Sequence, residues 1–347
     1  MYKENTYIVT GCTGFVGNVL TKKLMSDNVN VIGFARSEKK VKQVFGDNAP
    51  KIVYGDISNK QDVEKLFEMA NENTVVIHTV AKVSIGECSN DVMMKVTVEG
   101  TKNVVENCLR KKVKKLLHIS STSALPKTYN IYNKQEKYIP NPSIVRKGYA
   151  KTKSMADEIV FKAYKENGLN ASILMFASVL GPGEYTKGHM AQMIIDYIEG
   201  KLPASVKGGY NDFDIRDVAD VLPNIIENSK AGENYIFANK PNQINDVLNV
   251  VAKKLNLKKL KTLPLWVAYL GLPFLTLWSK ITKKRLLYTS TALGILKDDT
   301  NFSIEKAKEE FGYSPRPLEQ TVSDEIDFFI EQKMVKIKDV VNDNVDK

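Results

Sequence analysis

The chain has 347 residues, 43% of them hydrophobic and 26% charged, with a formal net charge of +10. That length and composition fit one large soluble domain, or two closely joined ones, around a sizeable core, and exclude a disordered or low-complexity chain. The basic residues are scattered, as in Lys111-Lys112 and Lys114-Lys115; no stretch interleaves them with aromatics, which reads as a solvated surface and excludes a nucleic-acid partner.

In chain order, Met1–Asn5 runs straight into an apolar, β-rich segment at Thr6–Thr10, so no signal peptide is expected. Phe15–Ser26 has helical spacing, with Val16, Val19, Leu20 and Leu24 on its apolar face. Asn30–Ala35, Lys51–Tyr54, Thr74–His78 and Lys115–Ser120 read as further strands. Helical stretches near Glu38–Phe45, Lys60–Ala70 and Asp91–Arg110 lie between them. A helix at Tyr149–Asn167 precedes a strand at Ala171–Phe176. This alternation predicts an α/β fold, a Rossmann-type doubly wound parallel sheet with helices on both faces. Beyond Gly181-Pro182-Gly183 the rhythm loosens into helices near His189–Glu199, Val218–Asn228, Asn245–Leu255 and Leu318–Gln332. The expected organisation is a dinucleotide-binding domain over 1–180 with a returning segment around 212–240, including a strand at Asn234–Ala238. A smaller, mostly helical C-terminal substrate domain is expected over 181–211 and 241–335, followed by a polar tail at 336–347. Cys12, Cys88 and Cys108 have no metal-ligand or disulfide spacing, and no His, Cys and carboxylate cluster suggests a metal, so a reducing cytoplasm is expected.

Thr10-Gly11-Cys12-Thr13-Gly14-Phe15-Val16-Gly17 follows the first strand and opens the first helix. Gly11 makes the tight turn, Gly14 lets a pyrophosphate approach the backbone, and Gly17 lets the helix pack on the strand. The helix N-terminus offers N–H groups to phosphate, so Thr13, Phe15 and Val16 join the expected cofactor site. An NAD site usually has a carboxylate about 20 residues further on. Here the second strand ends Ala35-Arg36-Ser37. A guanidinium at Arg36 suits a 2′-phosphate, so NADP is the expected cofactor and NAD the alternative.

These residues resemble the extended short-chain dehydrogenases/reductases, the epimerase/dehydratase-like branch. The glycine loop is similar to that family's TGxxGxxG, and Gly55-Asp56-Ile57 to its GD-[ILV]. His78-Thr79-Val80-Ala81 resembles H-x-A-A, and Gly100-Thr101-Lys102-Asn103 resembles GT-x-N. Ser120-Ser121 and Tyr149-Ala150-Lys151-Thr152-Lys153 resemble the active-site serine and Y-x-x-x-K. Gly181-Pro182-Gly183, Arg216–Ala219 and Phe311–Arg316 continue the series in order. The resemblance implies that Asp56 and Ile57 contact the adenine, and Val80 and Ala81 the nicotinamide ribose. It also places Phe176 and Val179 at the cofactor. Thr97 stands where an asparagine often fixes a relay water, so no relay is assigned.

The expected catalytic residues are Ser121, Tyr149 and Lys153. Tyr149 and Lys153 are four apart on one helix face, so the ammonium is expected to draw the phenol's pKa down for proton transfer. The resemblance has Lys153 also hold the ribose. Ser121, with Ser120 as rival, would donate to the substrate oxygen at a strand end, where such sheets bind ligands. His78 and His118 are expected to be satisfied core residues.

The implied reaction is a carbonyl–alcohol interconversion on a small molecule, for which two substrate classes compete. An apolar substrate of the dihydroflavonol-4-reductase or 3β-hydroxysteroid-dehydrogenase type is favoured by the missing arginine and asparagine at Met175 and Ser178. A nucleotide-sugar epimerase or dehydratase is the alternative, and a non-catalytic NADP-binding redox sensor a further one. Thr262–Ser279 carries no charge but holds Trp266, Tyr269, Phe274 and Trp278. Pro264 and Pro273 are expected to break it into a helix pair that buries its aromatics as a pocket wall, with membrane contact as the competing reading. The resemblance further implies a homodimer through Asp91–Arg110 and Tyr149–Asn167, with Val92, Val96 and Val104 available.

Overall fold

The computed structural model describes residues 2–83, 90–126, 138–282, 289, 293–294, 296 and 301–336. Cys88 and all of the expected tail but Lys336 lie outside them, as does the side chain of Trp278. The chain divides into two compact units. The first comprises Met1–Ala177, Ile215–Ala238 and Phe302–Ser314.

That unit is built on a seven-stranded sheet, every neighbouring pair parallel. β1 (Thr6–Thr10), β2 (Asn30–Ala35), β3 (Lys51–Tyr54), β4 (Thr74–His78), β5 (Lys115–Ser121) and β6 (Ala171–Phe176) are joined by Asn234–Phe237, in the order Asn234–Phe237, β6, β5, β4, β1, β2, β3. Tyr7, Ile8 and Val9 are each fully buried. A continuous apolar run rather than an alternating one is what a strand covered on both faces requires. The covering helices are α1 (Phe15–Ser26), α2 (Glu38–Phe45), α3 (Lys60–Phe67), α4 (Asn90–Met93), α5 (Gly100–Lys111) and α6 (Tyr149–Asn167). The strand order reverses between β1 and β4, the topological switch point where such sheets bind ligands at their carboxyl ends.

The expected helix Asp91–Arg110 is not continuous. A π-helical turn, Met94–Glu99, separates α4 from α5. Gly100 follows, and a Cβ there would meet Ile57 at 2.9 Å, so a side-chain-free residue lets α5 pack closely. Of the three expected interface valines, Val92 is 43% exposed but Val104 is fully buried in the core and cannot face a partner. α6 runs over Tyr149–Asn167 and stops at Gly168, whose left-handed φ of 69° caps it. Ala150, Lys153, Asp157 and Val160 form its buried stripe. Two charged residues in such a stripe need a reason.

The second unit, Ser178–Asp214, Asn239–Asn301 and Pro315–Lys347, has its own core. Met193 and Ile194 of His189–Ile198, Val247 and Val251 of Ile244–Leu255, and Val322, Ile326 and Phe329 of Leu318–Glu331 pack together. Ser178–Leu180 pairs in parallel with Asp212–Asp214. The expected helix pair is instead one helix, Leu265–Thr282, which runs through Pro273. Proline removes a single backbone donor from an interior turn, and the helix absorbs it. Nor are all its aromatics covered. Leu265, Ala268, Tyr269 and Leu272 pack on the core, whereas Trp266 is 65% and Phe274 77% exposed. Among the described residues no helix is long and apolar enough to cross a membrane.

Candidate active site

The glycine loop sits where β1 ends. Gly11, at φ +73°, donates its amide to the Phe34 carbonyl at 3.0 Å, and its own carbonyl accepts from Gly14 at 2.8 Å. The loop has no room for side chains. A Cβ on Gly17 would lie 2.1 Å from the Gly11 oxygen, and one on Gly11 would lie 2.9 Å from Thr79 Oγ1. Thr79 pins this turn by donating to the Thr10 carbonyl at 2.7 Å. Gly14 is the N-cap of α1 and offers no side-chain cap, leaving first-turn amides for an incoming phosphate. Thr13, Phe15 and Val16 are half-buried around this turn, and so are Val80 and Ala81 just beyond β4. Loop, helix end and switch point together fit a dinucleotide.

Arg36 follows β2, where Ser37 caps α2. Its guanidinium is 67% exposed and 3.8 Å from the Asp56 carboxylate. Burial pushes Asp56 up, but hydrogen bonds from Ser58 and the Arg36 charge outweigh it and hold the group below the usual carboxylate range. Ile57 is buried against Gly100. Phe176 is buried too, its ring edge-on to Phe237 at 5.5 Å, and Val179 belongs to the second unit.

The end of β5 meets the start of α6, where Ser121 lies against Tyr149 and Lys153 reaches back to β5. Ser121, half-buried, hydrogen-bonds the Tyr149 phenol. Its Oγ also accepts from the Ser123 amide at 3.2 Å. Burial raises the Tyr149 pKa to about 12, against the lowering effect of Ser121. The expected lowering by Lys153 is therefore not what the structure shows. Lys153 Nζ is buried and donates to the Ile119 carbonyl at 2.6 Å, which turns the ammonium toward β5. Burial lowers Lys153 itself to about 8, with Asp157 acting in the opposite sense.

Ser120 has a different partner from its neighbour. Buried at 3% exposure, it donates to Asp157 Oδ2 at 2.7 Å. Tyr138 donates to the same oxygen at 3.1 Å, and His118 Nε2 lies 3.2 Å from Oδ1. His78 is held by Thr10 at 2.7 Å and Thr101 at 3.1 Å, and its ring stacks on His118 with centroids 5.5 Å apart. Thr97 Oγ1 accepts from the Lys82 amide at 3.1 Å. Sequence reasoning left Asp157 and Tyr138 out. The signal for Asp157 was its spacing, four residues after Lys153 and eight after Tyr149, which keeps all three on one helix face. Met175 is fully buried in β6, and Ser178, half-buried, opens the strand Ser178–Leu180. Among the described residues no group of His, Cys, Asp and Glu could hold a metal.

The NAD dependent epimerase/dehydratase family matches residues 7–239. "Sterol demethylase protein B" of Methylococcus capsulatus is 26% identical over 248 residues, 70% of this chain and 72% of that protein. The crystal structure of gox2253 is 25% identical and covers 96% of this chain and 100% of that one, with a TM-score of 0.78. The UDP-glucose 4-epimerase of Thermotoga maritima, solved with UDP-glucose, shares the fold at 17% identity and a TM-score of 0.71, covering 94% of this chain and 99% of that one.

Proposed function

The chain belongs to the NAD dependent epimerase/dehydratase family and is a Rossmann-fold enzyme of the oxidoreductase or epimerase-dehydratase kind, and within that family we propose that it carries out nicotinamide-dependent redox chemistry at a hydroxyl-bearing carbon of a nucleotide-linked sugar. The observation that carries the redox reading is the Ser121 hydroxyl against Tyr149, with Lys153 one turn along α6, in the same unit as a side-chain-free glycine loop. A bound nicotinamide dinucleotide would supply the hydride donor or acceptor. Gly11, Gly14 and Gly17 would seat its pyrophosphate, and Arg36 and Asp56 its adenosine end. NAD is the cofactor of the family's chemistry, and Arg36 supports NADP as the form this chain prefers.

The proton work falls to the chain's own residues. With its pKa at about 12, Tyr149 holds its proton at neutral pH and can donate it to a substrate oxygen that is gaining charge. Ser121 supplies a second hydroxyl beside it, and Lys153 the nearby positive charge. The sugar reading is supported by the family match and by an epimerase among the structures of the same fold. An apolar alcohol or ketone is the second reading, supported by the sterol-related relative and by the exposed apolar side of Leu265–Thr282. The same proposal includes a homodimer through α4, α5 and α6, for which exposed Val92 and partly buried Val96 are the remaining apolar support.

The test is a paired assay. Nucleotide-linked sugars are incubated with NAD and followed by NMR for inversion or loss of a hydroxyl. Hydroxysteroids and simple ketones are followed by NADPH or NADH absorbance. Turnover of the sugars alone supports the lead reading and turnover of the apolar set alone reverses it. Cofactor binding with no turnover in either panel would leave a redox sensor as the better description.

A further inference from the structure

Between β5 and α6 lies a buried polar layer that the proposed proton transfer does not use. Its centre is Asp157, with no exposed surface. Oδ2 accepts from Ser120 at 2.7 Å and from Tyr138 at 3.1 Å, and Oδ1 lies 3.2 Å from His118 Nε2. Its neighbours in the same stripe, Ala156 and Val160, are apolar. A carboxylate in such a place costs several kcal/mol of desolvation, so packing alone does not account for it.

Its position ties it to the site twice. Ser120 is the residue before Ser121, so the bond to Asp157 fixes the strand end that displays the Ser121 hydroxyl. Asp157 also follows Lys153 by one helical turn and Tyr149 by two, about 40° and 80° around α6. We propose that Asp157 is a positioning residue: it clamps the Ser120–Ser121 end of β5 to α6 and supplies the buried negative charge against which the Lys153 ammonium is held. The inference rests on the reading that Ser121, Tyr149 and Lys153 act as one site.

The titratable groups around the carboxylate come from each packed element. β5 contributes His118, β4 contributes His78 behind it, the segment ahead of α6 contributes Tyr138, and α6 contributes Tyr149 and Lys153. Burial drives both imidazoles below their usual range, toward the neutral form, so Lys153 is the cation that the carboxylate faces. Burial disfavours that ammonium and Asp157 favours it.

Asp157→Asn keeps the size and one acceptor oxygen and removes the charge. Two readouts use the full chain and no substrate: the NMR titration of the Lys153 ammonium, and NADH affinity by fluorescence as a function of pH. We expect the Lys153 midpoint to move down by about one pH unit, a tenfold change in proton affinity, with a several-fold loss of NADH affinity near that midpoint. Asp157→Glu should restore part of both. A purely structural role would lower the melting temperature and leave the midpoint in place, and an unmoved midpoint in folded Asp157→Asn overturns the proposal. Where that variant does not fold, Asp157→Ser also removes the charge while leaving a hydroxyl for Ser120, and it should move the midpoint the same way; no movement there is equally fatal. Failure of the catalytic reading would show separately, as near-normal turnover by Tyr149→Phe.

Discussion

The Arg36 guanidinium and the Asp56 carboxylate lie 3.8 Å apart just beyond the carboxyl ends of β2 and β3, so the cation offered to a 2′-phosphate already has an anion beside it. A phosphate there gains the guanidinium and meets the repulsion of Asp56. NADPH is expected to bind about tenfold tighter than NADH, and Arg36→Ala to remove that preference. Asp56→Asn should widen it. Fluorescence titration of both cofactors against the three proteins decides the matter, and equal affinities in the unmutated chain would remove Arg36 from any role in selection.

Tyr149→Phe deletes one hydroxyl and leaves the cofactor cradle untouched. Turnover is expected to fall by about two to four powers of ten while NADH affinity stays within about twofold. Lys153→Ala should damage both. Because burial places Lys153 at about 8 and Tyr149 at about 12, carbonyl reduction should decline as pH rises past the lysine value, well before the phenol loses its proton. A rate that holds flat up to the tyrosine value would contradict the role given to Lys153.

Gly17→Ala tests the loop. The added Cβ would sit 2.1 Å from the Gly11 oxygen and 2.9 Å from Thr79 Oγ1, and backbone cannot yield cheaply. A loss of about 3 kcal/mol or more is expected, along with cofactor binding. Gly312→Ala is the control. Nothing lies within 4 Å of its Cβ, and only its left-handed φ of +76° opposes the change, so a loss of about 1 kcal/mol is expected. Urea midpoints of the two variants should differ accordingly; equal midpoints would mean that the loop is not closed onto α1 as described.

Asp212 gives a stability prediction in the second unit. It is buried, its Oδ1 has no hydrogen-bond partner, and burial raises its pKa from 3.8 to about 7 despite the Ser178 hydroxyl. The folded chain therefore keeps a proton that the unfolded chain releases between about pH 4 and pH 7. Stability from this group is present below that window and is lost as pH rises through it. Asp212→Asn should raise the melting temperature at pH 8, by about 2–4 kcal/mol of stability, and do little at pH 4. Stabilisation that is the same at both pH values would rule out titration as its cause.

Much of this architecture could be read from the chain because its signals are local. α6 spans Tyr149–Asn167 as its periodicity predicts, with Gly168 marking the stop. The glycine loop needed only the strand before it and the helix after it. What escaped depends on neighbours distant in sequence. The π-helical turn at Met94–Glu99 carries no composition signal, and Gly100 has meaning only once Ile57 is seen against it. Proline at 273 read as a break, yet an interior turn gave up one hydrogen bond and continued. The sequence favoured Ser121 and left Ser120 as its rival. Ser120 bonds Asp157 and Ser121 bonds Tyr149, both on α6, and telling their roles apart requires knowing which turn of that helix lies over each. Asp157 went unassigned because its spacing places it on the face of Tyr149 and Lys153 but nothing local reveals that it is buried.

The first unit is stitched from three separated stretches of chain, and this imposes an order of events on its making. β6 finds its outer neighbour only when Asn234–Phe237 arrives, and Phe237 is covered only when Phe311 and Tyr313 reach it, at ring distances of 6.3 and 5.0 Å. At ribosomal speeds of about 5–20 residues per second, a nascent β6 waits with an open edge for several seconds, and the aromatic cover follows several seconds later. Slow synthesis or early termination in that interval leaves an apolar parallel sheet with an unpaired rim, the kind of surface that recruits other strands. A fragment ending at Ala177 would hold that rim open permanently, so the glycine loop and Ser121–Tyr149–Lys153 cannot be isolated as a short stable piece even though every one of those residues lies within it.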